Sequence, residues 1–116
     1  MIYLASPYTS PDPNIELQRV KAVALIAAHL VAKELPVMSP ILHCHLIRQQ
    51  CSVPGHYEFW QKWNHRMIQY SEVFLVATID GWDRSTGLKG EMEFAKSINK
   101  RINYINPQTL QVTDEP

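Results

Sequence analysis

Apolar and polar positions along the chain change period several times, and each change marks an element. Ile2 to Ala5 is a short apolar run that stops at the breaker-rich Ser6-Pro7-Tyr8-Thr9-Ser10-Pro11-Asp12-Pro13, the pattern of a buried strand running into a loop. Asp12-Pro13 supplies a helix start, with Asp12 as N-cap and Pro13 at the first helical position. The spacing predicts a helix to about Glu34, with Ile15, Val20, Val23, Ala24, Ala27, Leu30 and Val31 on its apolar face. Pro36-Val37-Met38-Ser39-Pro40 reads as a second short strand, ended where Ser39-Pro40 forbids further helix or ladder. From His56 to Tyr70, Phe59, Trp60, Trp63, Met67 and Ile68 recur at three- and four-residue spacings, which predicts a second helix. Strand three is Val73 to Ile79, helix three Thr86 to about Lys100, and strand four Ile102 to Ile105, with Leu110 to Thr113 as a short fifth.

Strand and helix alternate, and no repeat, linker or low-complexity segment intervenes. The expected architecture is a single α/β domain over residues 1–116. Its form is a three-layer, doubly wound parallel sheet of four to five strands, Rossmann- or flavodoxin-like, with right-handed crossovers.

The segment between strand three and helix three carries the most information. The loop Asp80-Gly81-Trp82-Asp83-Arg84 leads into Ser85-Thr86-Gly87-Leu88-Lys89-Gly90-Glu91. A strand that breaks into a glycine-containing turn and then a helix leaves free backbone N–H groups and the positive end of the helix dipole at the sheet's C-terminal edge. Open α/β sheets bind their ligands at that edge. At 100° per residue, Leu88, Met92, Ala95, Ile98 and Phe94 share one arc and Lys89, Glu93, Lys96 and Lys100 the opposite one. Glu93 can pair with Lys89 and Lys96 in water. Glu91 has none of these partners and falls near the middle of the apolar arc, where an unpaired carboxylate is expensive. It is either an acidic first-turn residue held by the dipole or a functional group.

Composition narrows the function classes. Eleven basic residues balance eleven acidic ones, with no clustered Lys/Arg stripe, so duplex nucleic acid is not an expected partner. The start Met1-Ile2-Tyr3-Leu4 has no basic leader region, and the longest apolar stretch, Ala22 to Ala32, is interrupted by His29 and too short to span a bilayer. The expectation is a cytoplasmic protein that does not enter the membrane. Cys44 and Cys51 lie among His43, His45 and His56, donor types that zinc prefers, but their spacing fits no closed zinc module. Reduced, semi-buried cysteines and no metal are the expectation, with a zinc hydrolase on His43, Cys44, His45 and Cys51 as a rival.

The opening Ile2-Tyr3-Leu4-Ala5-Ser6-Pro7-Tyr8, the pair Asp80-Gly81-Trp82 and Ser85-Thr86-Gly87, and Glu91 followed by Ala95 together resemble the nucleoside 2-deoxyribosyltransferase-like superfamily. The similarity is to its small bacterial and phage branch, related to deoxynucleoside 5'-monophosphate N-glycosidases, and covers nearly the whole chain. It implies that Glu91 is the nucleophile, that the Tyr3 hydroxyl orients it, and that Ser85 contacts the sugar or its phosphate. Where that family has an aspartate at the start of the third strand this chain has Ser71-Glu72, so Glu72 is the counterpart as proton donor to the leaving base. The family's phosphate-binding glycines and basic residue in the first loop are replaced by Ser6-Pro7-Tyr8-Thr9, a departure that weakens the case for a 5'-monophosphate substrate.

The implied reaction is displacement at the anomeric carbon of a (deoxy)nucleoside or nucleotide with retention through a glycosyl-enzyme ester, needing no cofactor. Tyr3 is alternatively a core aromatic, and Asp80 either a second acid or a turn residue. Ser6, Ser39, His43, Asp80, Trp82, Ser85 and Gly87 are the candidate substrate-binding residues; Trp82 either stacks on a base or plugs its loop. The rival within the same fold is a non-catalytic module that binds a nucleotide or nucleotide sugar. A homodimer or higher homo-oligomer is expected through the aromatic helix His56 to Tyr70, since aromatics and Met are enriched at interface cores.

Overall fold

Alternation along the two central strands splits the interior into two cores. The computed structural model describes residues 1–50 and 57–116. In β1 (Ile2–Ala5) Leu4 points to one face of the sheet while Tyr3 and Ala5 point to the other, and in β3 (Val73–Ala77) Leu75 and Ala77 oppose Phe74 and Val76. The first set meets Val23, Ile26, Ala27 and Leu30 of helix α1 (Pro13–Ala32). The second meets Ile68 of α3 (Tyr57–Tyr70) and Leu88 and Ala95 of α4 (Thr86–Ser97). Helices on both faces explain why these strands read as continuous apolar runs.

The remaining elements are β2 (Val37–Met38), α2 (Pro40–Gln50), β4 (Arg101–Ile105) and β5 (Val112–Thr113). The result is a mixed α/β fold around a five-stranded, mostly parallel sheet of order β2-β1-β3-β4-β5. β1 pairs in parallel with both β2 and β3, and β3 with β4. The chain leaves β1 toward β2 on one side and reaches β3 and β4 on the other. The winding therefore reverses between β1 and β3, where a crevice opens beyond the strands' C-terminal ends.

Four details depart from the sequence pattern. Pro40 does not block a helix but begins α2, because a proline at the first helical position gives up only an N–H that has no helical partner. Ser39 caps that helix, its Oγ accepting from the Leu42 N–H at 3.3 Å. The buried stripe of α1 includes Ile26 and leaves Ile15, Ala24 and Val31 exposed, since the sheet covers the arc at i, i+3, i+4 and i+7 from Val23. β5 runs antiparallel to β4, because the tight turn that joins them, with Leu110 N–H donating to the Asn106 carbonyl at 2.8 Å, can only reverse the chain.

Candidate active site

Helix α4 is built to deliver one carboxylate to the crevice. Gly81, at φ +92°, turns the chain after β3 through a conformation that side chains resist, and a single turn of 3-10 helix (Trp82–Arg84) follows. Ser85 caps α4, its Oγ accepting from the Leu88 N–H at 3.2 Å. Leu88, Glu91 and Ala95 then share the buried face at i, i+3 and i+7. Glu91 is 6% exposed, and among the described residues no cation forms an ion pair with it.

Two neutral groups hold this carboxylate instead. The Asn64 side-chain amide donates to Oε1 at 3.2 Å, and the Tyr3 hydroxyl, on a ring stacked against Phe74 at 5.4 Å, lies against it from the sheet. Burial pushes the Glu91 pKa up to about 8, and the hydrogen bonds from Tyr3 and then Asn64 only partly oppose it. At neutral pH Glu91 is therefore largely protonated.

Glu91 borders a cavity of about 360 Å³, whose walls come from the loop after β1, from the four helices of the described residues and from the loop after β3. Ser6, Ser85 and Gly87 line it, and Ser6 Oγ is buried with no partner among the described residues. Tyr8, Arg19, Cys44, Trp60 and Asn64 also line it. Arg19 donates from Nη1 to the carbonyls of Thr9 (2.9 Å) and Tyr8 (3.3 Å), tying α1 to the first loop. The Tyr8 hydroxyl accepts from Arg48 Nη1 at 2.7 Å and is bonded to His45 Nδ1 at 2.7 Å, while the Arg48 guanidinium lies over its ring. Burial raises the Tyr8 pKa against the opposing charge of Arg48, so the phenol keeps its proton. Burial likewise raises the Cys44 thiol, with Arg48 opposing and Glu91 adding to the shift.

Several anticipated residues lie elsewhere. Glu72 precedes β3 while the cavity lies past its end, about 16 Å of strand away at roughly 3.3 Å per residue. Its side chain, 74% exposed, binds the Met1 ammonium, so it cannot serve as the proton donor. Asp80 is solvent-exposed beside Arg84. Trp82 packs edge-on against Tyr104 and plugs its loop. Ser39 is spent on the α2 cap. His43 stacks on Trp63 at 5.4 Å in a shallow groove between α2 and α3, outside the cavity. His43 and His45, two apart on α2, thus serve opposite sides of the helix. Among the described residues no group of three His, Cys, Asp or Glu side chains could hold a metal, and Cys51 and His56 lie outside those residues.

Tyr8, Arg19, Arg48 and Asn64 were not anticipated. Asn64 carried the same signal as Glu91, a polar residue on an otherwise apolar stripe, between Trp60 and Ile68. Arg48 and the role of His45 depended on α2, which the Ser39-Pro40 reading erased.

Fold and site together define an α/β protein with a buried carboxylate, unpaired with any cation among the described residues, at its topological switch point. Residues 1–106 match the model of the family described as a domain of unknown function (DUF1937), and the chain belongs to that family. No curated protein matches it. Among the described residues no helix is long and apolar enough to cross a membrane.

Proposed function

We propose that this crevice breaks or transfers the N-glycosidic bond of a (deoxy)nucleoside or nucleotide, with Glu91 as nucleophile. The reading places the chain with the nucleoside 2-deoxyribosyltransferase-like proteins, in a doubly wound, three-layer form of the α/β fold. The observation that carries it is the Glu91 carboxylate, buried beside the cavity and held by Tyr3 and Asn64, with no neutralising cation among the described residues. A structural carboxylate in that position would be expensive, because its two hydrogen bonds only partly offset burial.

In the proposed reaction the Glu91 carboxylate attacks the anomeric carbon from the face opposite the base. A carbon–oxygen bond forms as the carbon–nitrogen bond breaks, and that bond's electron pair leaves on the base. Glu72 and Asp80 lie outside the cavity, so the departing nitrogen takes its proton from Tyr8, whose phenolate Arg48 stabilises at 2.7 Å. Such proton transfer contributes about 10²–10⁴-fold. Attack on the ester by water gives hydrolysis, and attack by a second base gives transfer. A second reading has one specific support: a Glu91 protonated at neutral pH can donate a hydrogen bond, as a nucleotide-binding module would use it. We further propose a homodimer formed through the exposed aromatic face of α3.

Release of free base from a panel of nucleosides and nucleotides, with intact-protein mass spectrometry for the glycosyl adduct, tests the reading. Wild type should release base, and Glu91→Gln should lose at least 10³-fold while binding the same ligand. Because attack needs the ionised form, kcat/KM should climb with pH through about 8 and then level. Ligand binding without base release would favour the binding module; equal turnover by Glu91→Gln would remove the nucleophile.

A further inference from the structure

Asn64 is 7% exposed, lines the cavity, and has only half of its side chain satisfied. Its amide nitrogen donates to Glu91 Oε1 at 3.2 Å, and its carbonyl oxygen Oδ1 has no partner among the described residues. The orientation follows from the chemistry of the pair. In the form that attacks, Glu91 is ionised and only accepts, so it must face the NH₂ end of the amide, which leaves the acceptor end turned elsewhere. A buried acceptor without a donor is destabilising, and its presence in a cavity wall marks where a ligand donor belongs.

We propose that Asn64 Oδ1 accepts the 2'-hydroxyl of the sugar, so that the site takes ribonucleosides in preference to their 2'-deoxy counterparts. The inference rests on the glycosidic reading of the site and deepens it. In a β-nucleoside the nucleophile approaches the anomeric carbon from the face opposite the base, and the 2'-hydroxyl of ribose projects from that same face on the neighbouring carbon. One Glu91 oxygen attacks, and the other is the one that Asn64 already holds. The carboxamide therefore sits beside the carboxylate on the hydroxyl's side of the ring. Hydrogen bonds to the hydroxyl next to the reacting centre strengthen as charge develops in glycosyl transfer, so this contact acts on the transition state. Ser6 Oγ, also buried and unpartnered among the described residues, adds a second polar position in the same wall.

The test is kcat/KM for matched ribo- and 2'-deoxynucleosides of the same base, on wild type and Asn64→Ala. A partial folding defect scales both substrates alike, so the ratio isolates the contact. Asn64→Ala should lower the ribonucleoside value by on the order of ten- to a hundredfold more than the deoxynucleoside value, the usual range for losing one buried substrate hydrogen bond. Asn64→Asp, which keeps an acceptor oxygen, should retain more of the preference than Asn64→Ala. Equal losses on both substrates would overturn the proposal and leave the glycosidic reading standing. So would a wild type confined to deoxynucleosides. Release of base from neither sugar by wild type would overturn both.

Discussion

The ionisation of Glu91 sets a measurable stability slope. Its folded pKa of about 8 stands above the 4.5 of an ordinary glutamate, so between those pH values the native state holds a proton that the unfolded chain has released. Stability from this group is therefore intact below about pH 4.5, falls as pH rises, and levels above 8, a loss on the order of 5 kcal/mol at most. Glu91→Gln abolishes the slope. Urea melts should show the variant within about 1 kcal/mol of wild type at pH 5 and several kcal/mol more stable at pH 9. A gap that does not change with pH would mean that Glu91 titrates normally. The residue was legible in the sequence because a charge stood alone on an apolar arc, and the same argument applied to α3 would have found Asn64. Glu72 was misplaced for a different reason: adjacency to a strand does not say which end of the strand faces the crevice.

At the scale of elements, the turn between β3 and α4 is the least replaceable connection. Gly81 has φ +92°, and a Cβ there would collide with the Arg19 guanidinium. Gly81→Ala thus meets two costs, a left-handed backbone worth roughly 1–2 kcal/mol for a non-glycine residue and displacement of the Arg19 guanidinium from the first loop. We expect a fall in Tm of roughly 5 °C or more, with substrate affinity reduced in the fraction that folds, read by calorimetry and by KM. An unchanged Tm would show that the turn adopts another geometry. This turn, the start of α4 and the alternation of the other strands and helices could be read from sequence, because glycine and apolar period each carry local meaning. Helix α2 could not, since a proline that opens a helix and one that ends a strand look alike until the capping serine's partner is known. The direction of β5 was equally closed, being decided by the turn at Asn106 to Gln111.

At the scale of the whole molecule, one face of α3 is left partly exposed among the described residues. Its inner side supplies Ile68 to the core and Asn64 to the cavity, while Phe59 and Trp63 each remain 45% exposed and His43 stacks on Trp63 from α2. Trp60 borders both the cavity and the groove beside these rings, so a surface that covers the groove would also adjoin the substrate. A second copy meeting this face about a two-fold axis would bury the same rings from both sides, as a self-complementary patch requires. Large aromatic contacts at the centre of such a patch carry most of the association energy. Sedimentation at micromolar concentration should therefore give a dimer, and Trp63→Glu should shift it to monomer by placing a charge at the contact. If the patch also completes the site, the monomeric variant should show a raised KM while its melting temperature at high dilution matches that of wild type. A wild-type monomer with full activity would overturn the shared interface and leave Phe59 and Trp63 as solvent-facing rings of a self-sufficient domain.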